Sequence, residues 1–174
     1  MPHVSLLGHG KQRHDGLSDN TLVPFTLRPA IPADIEPMYR LDLLCFAPPY
    51  RFNLRAMRRF ANAPNAVAIV AEEQSTLAGF VILNPTHRHS AYVTTLDVHP
   101  DHRRHGLARH LMGSAEAAAQ RANLTTLRLH VSTDNSAAIA FYEAIGFARH
   151  SLVENFYAPS LHAWLYTKPL AHSL

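Results

Sequence analysis

A chain of 174 residues with 47% hydrophobic and 17% charged residues can bury about two thirds of its unfolded surface in one core, which excludes a disordered or fibrous protein. Its net charge of +3 comes without an aromatic-interleaved basic stripe, so nucleic-acid binding is not expected. The single cysteine, Cys45, excludes an intrachain disulfide, and no run approaches the roughly 20 apolar residues of a membrane span, so a soluble cytoplasmic protein is expected.

In chain order, residues 1–24 are rich in Gly, His, Asp and Ser without a period and read as an extension before one domain over 25–170, with 171–174 as a tail. A first strand is predicted over 25–28. The turn through Pro29, Pro32 and Asp34 leads into a helix with apolar residues at Ile35, Met38, Leu41 and Cys45. Pro48 and Pro49 stop that helix, and a second, basic helix follows over 54–61. Residues 66–71 and 77–83 alternate as strands joined by a polar turn over 72–76, and 90–98 forms the next strand. A helix with apolar residues at Leu107, Leu111, Met112, Ala115 and Ala119 precedes a strand over 125–131. Asn135 then caps a helix that Gly146 ends, and 147–153 and 162–168 form a terminal hairpin whose edge strand could pair two subunits.

The segment from Val98 to Ala108 carries the clearest chemical signal. Pro100 stops the strand, Gly106 lacks a Cβ, and the helix beginning at Leu107 opens with N–H groups that have no internal partner at a positive dipole end. With Arg103 and Arg104 at its mouth, this is a cradle for an anion such as a pyrophosphate, or else a plain strand-to-helix turn with solvated arginines. Thirteen histidines are scattered along the chain. The group His99, His102, His105 and His110 lacks paired Cys or acidic ligands, so no metal is expected.

Arg103-Arg104-His105-Gly106-Leu107-Ala108, after Val98-His99-Pro100, resembles the Arg/Gln-x-x-Gly-x-Gly/Ala signature of the GNAT superfamily of N-acetyltransferases. Downstream, Asn135-Ser136-Ala137-Ala138 through Phe141-Tyr142-Glu143-Ala144-Ile145-Gly146-Phe147 resembles that superfamily's second segment. The resemblance implies an α/β GNAT fold, a mixed and mostly antiparallel sheet flanked by helices and splayed between its fourth and fifth strands. It further implies acetyl-CoA as cosubstrate and coenzyme A as product. Leu96, Asp97 and Val98 would contact the pantetheine arm through their backbone, Arg103, Arg104, His105, Gly106, Leu107 and Ala108 the pyrophosphate, and Asn135 the pantetheine or sulfur end.

Acetyl transfer to an amine needs a neutral nucleophile, stabilisation of an oxyanion and a proton for the departing thiolate. The resemblance implies that Tyr142 is the general acid. His130, on the strand face opposite Leu129 and Val131, has a side chain whose ordinary pKa suits a general base. Its Leu-His-Val setting resembles the group of N-terminal acetyltransferases in which a histidine works with a tyrosine at the position of Tyr92. Phe46 and Tyr50 resemble an aromatic pair around the substrate's first residue, and Glu154-Asn155-Phe156-Tyr157 resembles an Asn-Tyr-Tyr loop holding the peptide backbone. A free α-amine, with pKa near 7.8, is presented in its neutral form about 3.5 kcal/mol more easily at pH 7 than a lysine. The expected acceptor is therefore a protein or peptide N-terminus, with small amines (amino acid, polyamine or antibiotic) or a silent acyl-CoA-binding module as the alternatives.

Overall fold

Alternation along the strands decides how the layers stack. In the computed structural model, which describes residues 25–171 apart from residue 88, Ile69 and Ala71 of β2 face one core and Val70 faces another. The extension over residues 1–24 and most of the tail lie outside the described residues. Seven strands, β1 (Thr26–Pro29), β2 (Val67–Glu73), β3 (Thr76–Pro85), β4 (Ser90–Val98), β5 (Thr126–Ser132), β6 (Ala148–Ala158) and β7 (Leu161–Pro169), form one sheet in the order β1-β2-β3-β4-β5-β7-β6. Every neighbour pair is antiparallel except β4 with β5. This is the mixed, mostly antiparallel sheet that the resemblance implies.

Helices α1 (Ile35–Cys45) and α2 (Leu54–Ala61) cover one face, with Ile35, Met38, Leu41 and Met57 buried against Val70, Phe80 and Ile82. Helices α3 (Leu107–Arg121) and α4 (Ser136–Ala144) cover the other, where Leu107, Leu111, Met112, Ala115 and Ala119 are all buried as their spacing predicts. The turn between β2 and β3 is shorter than the sequence suggests. Gln74 and Ser75 both have positive φ, 47° and 67°, which suits a two-residue hairpin turn following the twist of its strands.

Two irregularities shape the middle of the sheet. Thr94 has no partner in the β3–β4 ladder, because Ile82 faces Thr95 and Leu83 faces Val93, and such a bulge increases local twist. Pairing of β4 with β5 covers only Ser90↔Thr126, Ala91↔Leu127 and Tyr92↔Arg128, after which the strands part. Leu96 to Val98 remain paired with β3, and β5 continues along β7, so a cleft opens in the sheet above Tyr92. Gly79, opposite Val98, permits the close approach of β3 there: a Cβ would lie 2.7 Å from the Asp97 carbonyl oxygen.

Candidate active site

The cleft leads to the turn between β4 and α3. Pro100–His102 forms a short 3-10 turn, Arg104 has φ 65°, and Gly106, at φ 80°, is the left-handed residue from which α3 starts. No side chain caps α3, and nothing lies within 4 Å of where a Gly106 Cβ would stand. The N–H groups of Leu107 and Ala108 have no carbonyl four residues earlier in the helix, so they are donors at its positive end. They border a cavity of about 240 Å³ that Val98, Arg104 and Phe141 also line and to which no described carboxylate contributes. Backbone donors, open space and absence of negative charge together fit a pyrophosphate. Arg103 is partly diverted, since its Nε donates to the Val98 carbonyl at 3.1 Å, whereas Arg104 and His105 are exposed.

Tyr142 comes to the cleft from α4. It is fully buried, and its hydroxyl has no hydrogen-bond partner among the described residues. Burial above all, then the fields of Tyr157, Asp97 and Tyr92, holds its pKa well above the ordinary phenol range, so it keeps its proton. An unpartnered buried hydroxyl costs about 1–3 kcal/mol, a cost relieved by a ligand atom that accepts from it, such as a thioester sulfur. Asn135, expected at the sulfur end, spends its side-chain carbonyl on the Ala138 N–H at 3.0 Å as the cap of α4.

Tyr92 and His130 meet where the two strands part. The phenol oxygen lies 2.7 Å from His130 Nδ1, and it also accepts the His130 backbone N–H at 3.2 Å. When Nδ1–H donates to the phenol, Nε2 is left as an acceptor; when the phenol donates to Nδ1, Nε2 carries the proton. Only the first arrangement leaves a base. The near-neutral imidazole expected from sequence is corrected here: burial, aided by the charge of Arg128, lowers the His130 pKa to about 4. The ring is therefore neutral at physiological pH and is a weak base.

His130 stacks on Phe156, with centroids 4.1 Å apart and planes at 17°. Phe156 meets Tyr157 edge-on at 4.8 Å, and Tyr157 meets Tyr50 at the same distance. Phe156 and Tyr157 lie in β6 rather than in a loop. The ladder with β7 slips after Val153 and resumes at Ala158, and Asn155, at φ 53°, turns the aromatic pair toward the cleft. Phe46 does not join them. It is 8% exposed and packs in the core under α1 and α2, so it acts as the anchor of the loop rather than a wall of the site.

The match to the acetyltransferase (GNAT) family spans residues 35–147. The chain belongs to this family. Among its relatives, the [Ribosomal protein bS18]-alanine N-acetyltransferase of Escherichia coli K12 is 36% identical over 67 residues, 38% of this chain and 45% of that protein, so the chain spans under half the relative's length. The N-alpha-acetyltransferase of Saccharolobus solfataricus is 25% identical over 84% of this chain and 93% of that protein. The crystal structure of Ard1 from Thermoplasma volcanium superimposes with a TM-score of 0.77 at 25% identity, over 85% of this chain and 99% of that one.

Two features of this GNAT chain escape the sequence patterns. A groove of about 840 Å³ runs from Phe156 and Tyr157 along α2, lined also by Arg51, Arg55 and Arg59. Two carboxylates, Asp42 and Asp97, are wholly buried. Burial raises the Asp42 pKa to about 7 although its Oδ2 accepts the Phe52 N–H at 2.7 Å. Burial and the Asp42 charge push Asp97 up as well, while Thr95 donates to it. The Arg55–Arg59 spacing and the place of Asp42 on the apolar stripe of α1 are visible in the sequence; the depth of Asp97 is not.

Proposed function

We propose that the protein is an acetyl-CoA-dependent N-acetyltransferase whose acceptor is a protein or peptide N-terminal α-amine. The observation that carries the acceptor reading is the Tyr92–His130 pair, 2.7 Å apart at the opening of the cleft and walled by Phe156 and Tyr157. The names of the N-terminal acetyltransferases among its relatives support it. Acetyl-CoA supplies an acetyl group activated as a thioester. The backbone donors at Leu107 and Ala108 hold its pyrophosphate, and the edge of β4 from Leu96 to Val98, left open toward β5, receives the pantetheine arm.

In this reading the low pKa of His130 sets the order of proton transfers. A base with pKa about 4 does not strip an ammonium of pKa near 7.8, so the amine enters neutral from solution. His130 Nε2 accepts a hydrogen bond from that neutral amine and takes its second proton as the amide forms, when the nitrogen has become far more acidic. Tyr92 orients the ring through Nδ1. Tyr142 Oη gives its proton to the departing sulfur and is restored from solvent, to which His130 returns the proton taken from the amine, so the cycle balances.

Release of free coenzyme A from acetyl-CoA, measured with short peptides of varied N-termini beside small amines, tests the reading. We expect peptide-dependent turnover that falls about 10²-fold in His130→Ala. Turnover with small amines alone assigns the acceptor to that class instead, and cofactor binding without any turnover identifies a silent module.

A further inference from the structure

The groove along α2 carries a charge pattern that the transfer chemistry does not use. Arg55 and Arg59 stand one helical turn apart on α2, and Arg51 precedes the cap residue Asn53. All three are exposed, and among the described residues none forms an ion pair or a hydrogen bond through its side chain, whereas Arg28, Arg40, Arg149 and Lys168 each pair with a carboxylate. No carboxylate lines the groove; the charge of Arg51 acts on Asp42, which is buried and spends one oxygen on the Phe52 N–H, while Arg55 and Arg59 have no such counterpart among the described residues. Like charges four residues apart disfavour a helix by a few tenths of a kcal/mol. The sequence Leu54-Arg55-Ala56-Met57-Arg58-Arg59-Phe60-Ala61 keeps that cost with no acidic residue to offset it.

Geometry limits what fits. The groove begins at Phe156 and Tyr157, which wall the His130 pocket, so an acceptor whose amine lies at His130 continues its chain past the arginines. The four residues from Arg55 to Arg59 advance about 6 Å along the helix, and alternate side chains of an extended peptide are about 6.8 Å apart. We propose that this groove selects acceptor chains in which Asp or Glu occupies alternate positions shortly after the N-terminal residue, the carboxylates pairing with Arg55 and Arg59 and with Arg51 at the near end. This rests on the N-terminal reading above and adds the substrate class to it. Paired with carboxylates, the guanidinium groups make fork-shaped hydrogen bonds that lysine would not reproduce.

The test compares kcat/KM for three peptides sharing one N-terminal residue, with Asp, Ser or Lys at the alternate positions that follow, on the full-length protein at about 50 mM and about 500 mM NaCl. The aspartyl peptide is expected to exceed the seryl one by about tenfold at low salt, with the advantage largely screened at high salt. In the double variant Arg55→Glu, Arg59→Glu the order reverses and the lysyl peptide gains, an outcome that a merely unfolded variant cannot produce. Equal rates for the three peptides, or a preference for the lysyl one in the unaltered protein, overturns the inference while leaving N-terminal acetylation standing. Inhibition by a short RNA without any preference among the peptides also overturns it, assigning the groove to nucleic acid. Turnover of small amines with no peptide overturns the N-terminal reading itself, and the inference with it.

Discussion

The two sides of the cleft are built by different means. The side proposed for the cofactor is backbone: one uninterrupted stretch from Val98 to Ala108 supplies its turn, its left-handed glycine and its helix start. The side proposed for the acceptor is made of side chains gathered from Tyr50, the α2 arginines, Tyr92, His130 and the Phe156–Tyr157 pair, which the fold alone brings together. A backbone cradle tolerates many side chains and suits a cosubstrate that does not vary. A wall of separate side chains can be altered one residue at a time, so it suits a variable acceptor.

The largest effect expected sits where the two sides meet. Tyr142→Phe removes a buried hydroxyl that has no hydrogen-bond partner among the described residues, so stability should hold or rise by up to about 1–3 kcal/mol, while kcat falls at least about 10²-fold. Thermal unfolding and turnover measured on one sample decide the matter. A loss of both together would make Tyr142 an ordinary core residue and remove the donor from the proposed mechanism.

The next effect separates the two sides. Gly106→Ala meets no atom within 4 Å and changes only the cost of φ 80°, about 1 kcal/mol for a residue with a Cβ. Roughly fivefold weaker acetyl-CoA binding, read by calorimetry, with an unchanged order of preference among peptides is expected. On the acceptor side, Tyr92→Phe frees the His130 ring while keeping its stacking on Phe156. A severalfold fall in kcat with no change in acetyl-CoA affinity is expected there. Cofactor affinity lost in Tyr92→Phe would erase the division between the sides.

That division also explains what can be read from the chain. The cradle is legible because its parts are consecutive: a strand stop at Pro100, a glycine at 106 and an amphipathic helix after it all lie in one window. Most strands and helices are legible for the same reason, since period and caps are local. Tyr92 and His130 are 38 residues apart, and only the fold-level resemblance joins them. Phe46 looks the same as Tyr50 in sequence, but burial separates them, because Phe46 is carried under α1 while Tyr50 reaches Tyr157. Asp42 follows Met38 by four residues and precedes Cys45 by three, so helical spacing sets it on the buried stripe of α1, but only the fold supplies the partner it holds there, the Phe52 N–H. The low pKa of His130 depends on burial and on Arg128, neither of which a residue type discloses.

The smallest effect is the most specific to the acceptor side. Because His130 is held near pKa 4, it is already neutral across the physiological range, and the acid limb of kcat/KM should follow the acceptor amine instead. A peptide α-amine places that limb near pH 7.8, and an acceptor with a less basic amine moves it down by its own difference in pKa. A limb fixed near 6.5 for every acceptor would return the imidazole to an ordinary solvated setting. Stability carries the matching sign. The folded pKa of about 4 lies below the unfolded value near 6.5, so in that window the unfolded chain binds more protons and stability rises with pH, reaching its full value above about 6.5. The slope from one such group is at most about 1.4 kcal/mol per pH unit. His130→Gln should flatten it between pH 4 and 6.5 in denaturant titrations, and a variant that keeps the full slope would assign it to other groups.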